Sequence, residues 1–97
     1  MARKISILIV DDEESVRDSL YNWFLEDGFL VECAENAKKA LTILESDEFD
    51  IILADIKMPG MDGLEMLRRI KSLKPDAIVI VMTAFAIQRS WPHLSMA

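Results

Sequence analysis

Three short segments of the chain are apolar at nearly every position. They are Ile5–Val10, Ile51–Ala54 and Ile78–Met82, and all three are rich in Ile and Val. Such runs are typical of parallel strands that are covered on both faces. A fourth segment, Leu30–Cys33, alternates apolar and acidic residues, as an edge strand does. The pattern therefore predicts four strands.

The segments between these strands carry apolar residues at helical spacing. In chain order, the apolar residues that share one helix face are Val16, Leu20, Trp23 and Phe24; Ala37, Ala40, Leu41 and Leu44; and Leu64, Leu67 and Ile70. Gly28 is placed to end the first helix, Ser15–Glu26, while Asn36 and Asp62 are placed to cap the next two. We expect Trp23 and Phe24 to lie in the core. The order β-α-β-α-β-α-β predicts an α/β fold with a parallel sheet and helices on both faces.

Size and charge exclude several classes of protein. The 97 residues fit one domain, and 52% hydrophobic residues are enough for a core. A net charge of -6 argues against a nucleic-acid-binding surface. No apolar run approaches the roughly 20 residues that cross a membrane. One cysteine, Cys33, leaves no internal disulfide and fits a reducing cytoplasm, where we expect the protein to reside.

Polar residues follow the three strong strands at the point where each ends. Asp11 and Asp12 follow the first strand, Asp55 follows the next apolar strand, and Thr83 follows the last. The carboxyl ends of parallel strands share one edge of the sheet, and ligands bind in the crevice there. Taken singly, Asp11 and Asp12 are explained by the dipole of the helix they precede, and Thr83 by its strand end. Asp55 resists that explanation, because no helix begins directly after it.

Converging carboxylates repel one another, and either a raised pKa or a bound cation offsets the cost. Hard oxygen ligands favour Mg²⁺, which takes one or two carboxylates and keeps several waters. A Mg²⁺ beside Asp55 would keep that carboxylate ionised and would neutralise an incoming phosphoryl group. Asp55 is therefore a candidate nucleophile, and Thr83 a candidate hydrogen-bond donor to the attached phosphoryl oxygens.

Three segments, "ILIVDDEE", "ILADIKMPGMDGLEML" and "VIVMTAFA", together resemble the receiver domain of two-component response regulators. The resemblance covers Lys4 to about Ala86, and "MTAFA" is most similar to receivers attached to enhancer-binding transcription activators. It implies a flavodoxin-like, doubly wound sheet with the strand order 2-1-3-4-5. It also implies a signalling domain that is not an enzyme, beyond catalysing its own phosphorylation and dephosphorylation.

The same resemblance assigns roles to single residues. It implies that Asp55 is the phosphoacceptor and takes a phosphoryl group from a phosphohistidine on a sensor histidine kinase. Asp12, Asp55 and the backbone carbonyl of Lys57 would coordinate Mg²⁺, and Asp11 would act mainly through a metal-bound water. Thr83 would be the switch hydroxyl that moves toward the phosphoryl group.

The chain departs from the family pattern after the fourth strand. The family continues with a helix, a fifth strand that begins with a phosphoryl-pairing lysine, and a last helix, whereas "IQRSWPHLSMA" shows none of these. We therefore expect an incomplete receiver over residues 1–86 with the sheet order 2-1-3-4, and an atypical tail over 87–97. Ile78–Met82 would then be a bare apolar edge, which predicts a homodimer by edge pairing or segment exchange.

Two other functions compete with a phosphoacceptor domain. A haloacid-dehalogenase-like phosphohydrolase also uses a strand-end aspartate with Mg²⁺, but it places the nucleophile after the first strand with a second aspartate two residues on. Here Asp11 and Asp12 are adjacent, which disfavours that enzyme. The other alternative is a truncated receiver remnant that only dimerises and does not switch.

Overall fold

The computed structural model describes residues 3–55 and 63–82 of the chain. Strands and helices alternate along it; in chain order they are β1 (Ser6–Val10), α1 (Glu14–Glu26), β2 (Leu30–Ala34), α2 (Ala37–Ser46), β3 (Ile51–Asp55), α3 (Gly63–Leu73) and β4 (Ile78–Met82). Every predicted strand and helix is present. Within the described ranges, no helix is both long and apolar enough to cross a membrane.

Two helix boundaries follow directly from local chemistry. Gly28 has φ 94°, a left-handed conformation that glycine adopts without steric cost, and its N–H donates to the Leu25 carbonyl oxygen at 3.1 Å. The Asn36 side chain accepts a 2.7 Å hydrogen bond from the Lys39 N–H and caps α2. Both predictions are confirmed, whereas the predicted cap at Asp62 lies outside the described residues.

All strand pairs are parallel, and the sheet order β2-β1-β3-β4 confirms the predicted topology. β1 lies in the middle, with Val10 opposite Ala34 on β2 and opposite Ala54 on β3. β3 runs one residue further than predicted and ends on Asp55 itself. The register therefore brings Asp11, the residue after Val10, next to Asp55 at the carboxyl edge.

The main core lies between the sheet and the pair α2 and α3. Its buried residues are Leu8, Val10, Ala34, Ala37, Ala40, Leu44, Ile52, Ala54, Met66, Ile70 and Ala77. The stripe predicted for α2 supplies Ala37, Ala40 and Leu44, whereas of the stripe predicted for α3 only Ile70 is in the core. α3 buries Met66 instead of Leu64, which is exposed.

On the other face of the sheet, α1 packs against β1 and β2 without burying any side chain fully. Phe24 is half-buried and meets the Phe29 ring edge-on at 5.7 Å between ring centroids. The prediction that Trp23 lies in the core is wrong, because its side chain is 66% exposed. Consecutive helix residues diverge by about 100°, so turning Phe24 towards the strands turns Trp23 away from them.

The exposure of β4 separates two predictions made for it. Its apolar run predicts cover on both faces, whereas the departure from the family pattern predicts a bare edge; Ile78 is 61% exposed, and Ile80 and Val81 are exposed as well. Only Val79 packs against the main core. Within residues 3–55 and 63–82, β4 pairs on one side only, with β3, so it forms an edge that helices cover incompletely.

Candidate metal site at the carboxyl edge

Adjacent strands place three aspartates together at one edge of the sheet. The Asp11 N–H donates to the Ala34 carbonyl oxygen at 3.1 Å, which continues the ladder between β1 and β2 beyond the strand end. Asp11 is 3% exposed and Asp55 is 8% exposed, whereas Asp12 is open to solvent. One carboxylate oxygen from each of the three lies within 4.8 Å of the others. The predicted convergence of these side chains is therefore what the structure shows.

The surroundings of Asp11 act on its charge in both directions. Burial of the carboxylate raises its pKa, and the negative charges of Asp55, Asp12 and Glu13 raise it further. The Glu13 N–H, which donates to Asp11 Oδ1 at 2.9 Å, opposes this by stabilising the ionised form. The net result is a pKa above the usual range for an aspartate, so the ionised cluster costs free energy without a cation.

The hydrogen bond from Glu13 also tests the helix-terminus explanation. Glu13 occupies the N-cap position of α1 but makes no side-chain capping bond, and Asp11 supplies an acceptor there instead. This contact accounts for one oxygen of Asp11. It does not account for Asp55, which a different strand brings to the same place. The helix dipole alone is therefore an incomplete explanation of the cluster.

The donor set fits a small, hard divalent cation. Mg²⁺ binds oxygen at about 2.0–2.1 Å in an octahedron, so two of its ligands lie at most about 4.2 Å apart. Carboxylate oxygens within 4.8 Å of one another can reach one such ion directly or through a bound water. An exposed Asp12 beside two buried partners leaves the solvent side for those waters.

Two predicted site residues, Lys57 and Thr83, lie outside the described residues. One residue that the sequence reasoning did not identify contacts the cluster: Arg17 Nη1 donates a 2.9 Å hydrogen bond to the backbone carbonyl oxygen of Asp11. The signal available in the sequence was a cation in the first turn of the helix that follows the acids.

Comparison with known sequences gives one family. A family model described as the response regulator receiver domain matches residues 7–91. Sporulation initiation phosphotransferase F of Bacillus subtilis is 42% identical over 79 residues, which cover 81% of this chain and 64% of that protein. Regulatory protein AtoC of Escherichia coli is 44% identical over 80 residues, covering 82% of this chain and 17% of that protein. The chain thus spans less than two thirds of these curated relatives.

Solved structures agree with the observed topology. Response regulator protein TrrA from Thermotoga maritima, crystallised with Mg²⁺-BeF, is 38% identical with a TM-score of 0.79, over 90% of this chain and 79% of that one. TrrA in complex with histidine kinase ThkA gives a TM-score of 0.78 at 38% identity, covering 90% and 78%. A CheY-like receiver domain protein from Methanospirillum hungatei gives 0.83 at 34% identity, covering 96% and 75%. The flavodoxin-like fold is confirmed.

Proposed function

Because the chain belongs to the response regulator receiver domain family, we propose that Asp55 accepts a phosphoryl group from the phosphohistidine of a sensor histidine kinase. The observation that carries the proposal is the convergence of Asp11, Asp12 and Asp55, whose carboxylate oxygens lie within 4.8 Å of one another. The complex of the similar regulator TrrA with a histidine kinase supports the choice of partner.

Mg²⁺ is the proposed cofactor, and when bound it would supply positive charge that offsets the carboxylates and the phosphoryl oxygens. Asp12, Asp55 and the backbone carbonyl of Lys57 would hold it, and Asp11 would reach it through a water. The TrrA structure with Mg²⁺-BeF supports this choice of ion. Thr83 would donate its hydroxyl hydrogen to a phosphoryl oxygen and act as the switch residue.

In the proposed reaction, a carboxylate oxygen of Asp55 attacks phosphorus and forms an acyl phosphate. The bond between phosphorus and the histidine nitrogen breaks, and that nitrogen keeps the electron pair and takes up a proton from solvent. No oxidant or reductant takes part. Nearby carboxylates hinder this attack unless positive charge offsets them, which explains why nucleophile and acidic cluster belong together.

The test is incubation with Mg²⁺ and acetyl phosphate, followed by intact-mass and peptide mass spectrometry. We expect one phosphoryl group per chain on Asp55, stable in acid and labile in base, and its loss in Asp55→Asn. Asp50→Asn is the matched control, because Asp50 lies at the opposite end of β3 and should leave the adduct intact. Equal labelling of Asp55→Asn and the unaltered protein would refute the assignment.

A second assay, of phosphate release, separates the domain from a hydrolase. A phosphoacceptor acts at most on its own phosphoryl group, so phosphate release from small phosphate esters should stay at background. Sustained turnover of such esters that disappears in Asp55→Asn would instead support the haloacid-dehalogenase-like alternative. Absence of both adduct and turnover would support a remnant that does not accept phosphate.

We also propose that β4 associates with a second copy of the chain. Within residues 3–55 and 63–82, Ile78, Ile80 and Val81 are exposed on a strand at the edge of the sheet, and an apolar edge strand offers its backbone groups to a strand of another chain. The opposite edge, β2, carries the exposed Glu32, a charge that discourages such pairing. The β4 edge is therefore the favoured side for association, by strand pairing or by segment exchange.

Light scattering coupled to size-exclusion chromatography tests this association. We expect the average molar mass to rise with concentration from the monomer value towards the dimer value. For Ile80→Lys, which places a charge on the edge strand, we expect the monomer mass at every concentration. Leu64→Lys is the matched control, since it adds the same charge to an exposed apolar position on α3. A monomer at every concentration would refute the proposal.

Three further features belong to the proposal. The receiver unit comprises residues 1–86, with 87–97 as a separate tail. The domain resides in the cytoplasm with its kinase partner and makes no direct contact with nucleic acid, in keeping with a net charge of -6.

A further inference from the structure

Arg17 lies in the first turn of α1 with its side chain half-buried. Its Nη1 donates a 2.9 Å hydrogen bond to the carbonyl oxygen of Asp11, six residues earlier in the chain. The bond ties the start of the helix to the end of β1. Arg17 is also bound locally through its own N–H, which donates to the Glu13 carbonyl oxygen at 3.0 Å.

The carbonyl that Arg17 holds belongs to the peptide plane that joins Asp11 to Asp12. A planar peptide has no free rotation, so fixing this oxygen also fixes the direction in which the chain enters Asp12. On the other side of Asp11, its N–H is held by the Ala34 carbonyl oxygen at 3.1 Å. Arg17 therefore completes the restraint on the backbone that carries two of the three clustered acids.

Arg17 is not committed to an ion pair within residues 3–55 and 63–82. Burial raises the pKa of the Cys33 thiol on β2, and the positive charge of Arg17 opposes that rise in part. Its hydrogen bond to the Asp11 carbonyl is a specific contact of a half-buried cation with the backbone of the site.

We propose that Arg17 is a positioning residue for the acidic site, and that its hydrogen bond to the Asp11 carbonyl orients Asp11 and Asp12 towards a shared divalent cation. This inference rests on the proposed Mg²⁺-dependent function. The alternative is that this hydrogen bond only joins α1 to β1 and stabilises the fold. Loss of a positioning residue lowers the affinity for the metal, whereas loss of a purely structural contact lowers stability alone.

The experiment compares Arg17→Met with Arg17→Lys, of which only lysine can donate a hydrogen bond, from a side chain one atom shorter than that of arginine. Mg²⁺ affinity is measured by isothermal titration calorimetry, and stability by thermal unfolding without Mg²⁺. We expect Arg17→Met to bind Mg²⁺ about tenfold more weakly than Arg17→Lys, in the range found when partners of metal ligands are removed; loss of a positive charge by itself would strengthen cation binding. Arg69→Ala, an exposed arginine paired with Glu65 on α3, controls for loss of one positive charge and should bind as the unaltered protein does.

Equal Mg²⁺ affinities of Arg17→Met and Arg17→Lys would overturn the inference, whatever their stabilities. If Arg17→Met does not fold, Arg17→Gln takes its place, because the glutamine amide is two atoms shorter than the arginine side chain and falls short of the Asp11 carbonyl oxygen. Weaker binding by Arg17→Gln than by Arg17→Lys then supports the inference, and equal or tighter binding refutes it. Absence of Mg²⁺ binding by the unaltered protein would contradict the proposed function itself, which keeps the two failures distinct.

Discussion

Asp50 immediately precedes β3 and Asp55 ends it, and the surroundings of the two carboxylates differ in kind. The Asp50 carboxylate accepts hydrogen bonds from both terminal nitrogens of Arg3, at 2.7 and 2.8 Å, and from the Ser6 N–H at 2.9 Å. Ser6 Oγ donates to it at 3.2 Å as well. Asp55 instead ends its strand beside Asp11 and Asp12. At the amino end of the sheet, Asp50 is paired with hydrogen-bond donors. At the carboxyl end, three aspartates lie close together.

The electrostatic result is opposite at the two ends. The hydrogen bonds from Arg3 and Ser6 hold the pKa of Asp50 far below its usual range, whereas burial and neighbouring charges raise the pKa of Asp11. Within the described ranges, no lysine or arginine forms an ion pair with Asp11 or Asp12. The amino end therefore uses its acid to hold the fold together, whereas at the carboxyl end the buried charge of Asp11 costs free energy that a bound cation would offset.

Asp50→Ala should produce the largest change, because it leaves the Ser6 N–H and the Arg3 guanidinium without their acceptor. We expect the thermal midpoint to fall by about 6 to 10 °C, measured by circular dichroism, most of it from the part-buried Ser6 N–H, since the exposed Arg3 can bond to water instead. Glu45→Ala, an exposed acid on α2, is the control and should melt close to the unaltered protein. Similar midpoints for the two variants would show that the amino-end network does not stabilise the fold.

Adding Mg²⁺ should act on the carboxyl end alone. A ligand at ten times its dissociation constant stabilises the folded state by about 1.4 kcal/mol. We therefore expect Mg²⁺ at that concentration to raise the free energy of unfolding by this amount, measured by urea denaturation at matched ionic strength. Asp12→Asn should lose this increment, since it removes a proposed ligand, and Asp50→Asn should retain it. Loss of the increment in Asp50→Asn would contradict the separation of the two ends.

Asp11→Asn should stabilise the protein in the absence of divalent cations. The amide oxygen can still accept the bond from the Glu13 N–H, while the buried charge and its repulsion with Asp55 are removed. We expect the free energy of unfolding at neutral pH to rise by about 1 kcal/mol. Asp50→Asn, the same substitution at the amino end, should lower the free energy of unfolding. A change of the same sign in both variants would contradict the proposed difference between the two ends.

The smallest expected effect is a change with pH in how much Asp50, at the amino end of the sheet, stabilises the fold. Asp50 has a lower pKa in the folded than in the unfolded state, so its stabilisation is complete above the unfolded value of about 3.9 and is lost as pH falls through the folded value. The difference in thermal midpoint between the unaltered protein and Asp50→Asn should therefore narrow by a few degrees between about pH 5 and pH 3. A constant difference over that range would argue against the ionised network.

The errors of the sequence-based predictions have a common physical origin. Helical spacing identifies an apolar stripe but does not fix which part of it faces the core: Trp23 lies at the margin of the α1 stripe, and α3 packs through Met66 and Ile70 while Leu64 is exposed. An apolar run identifies β4 as a strand, yet the run carries no information on which elements cover it. Both errors concern the contacts of an element, and neither concerns its type.

By itself, the sequence determined the four strands, the three helices between them, and the placement of Asp11, Asp12 and Asp55 at one edge. It did so because apolar periodicity sets element type, and right-handed crossovers bring the carboxyl ends of parallel strands to one side. Only the tertiary structure decided that Arg17 holds the Asp11 carbonyl and that Asp50 binds Arg3 and Ser6. These contacts depend on side-chain directions set by packing, to which neither periodicity nor spacing along the chain is sensitive.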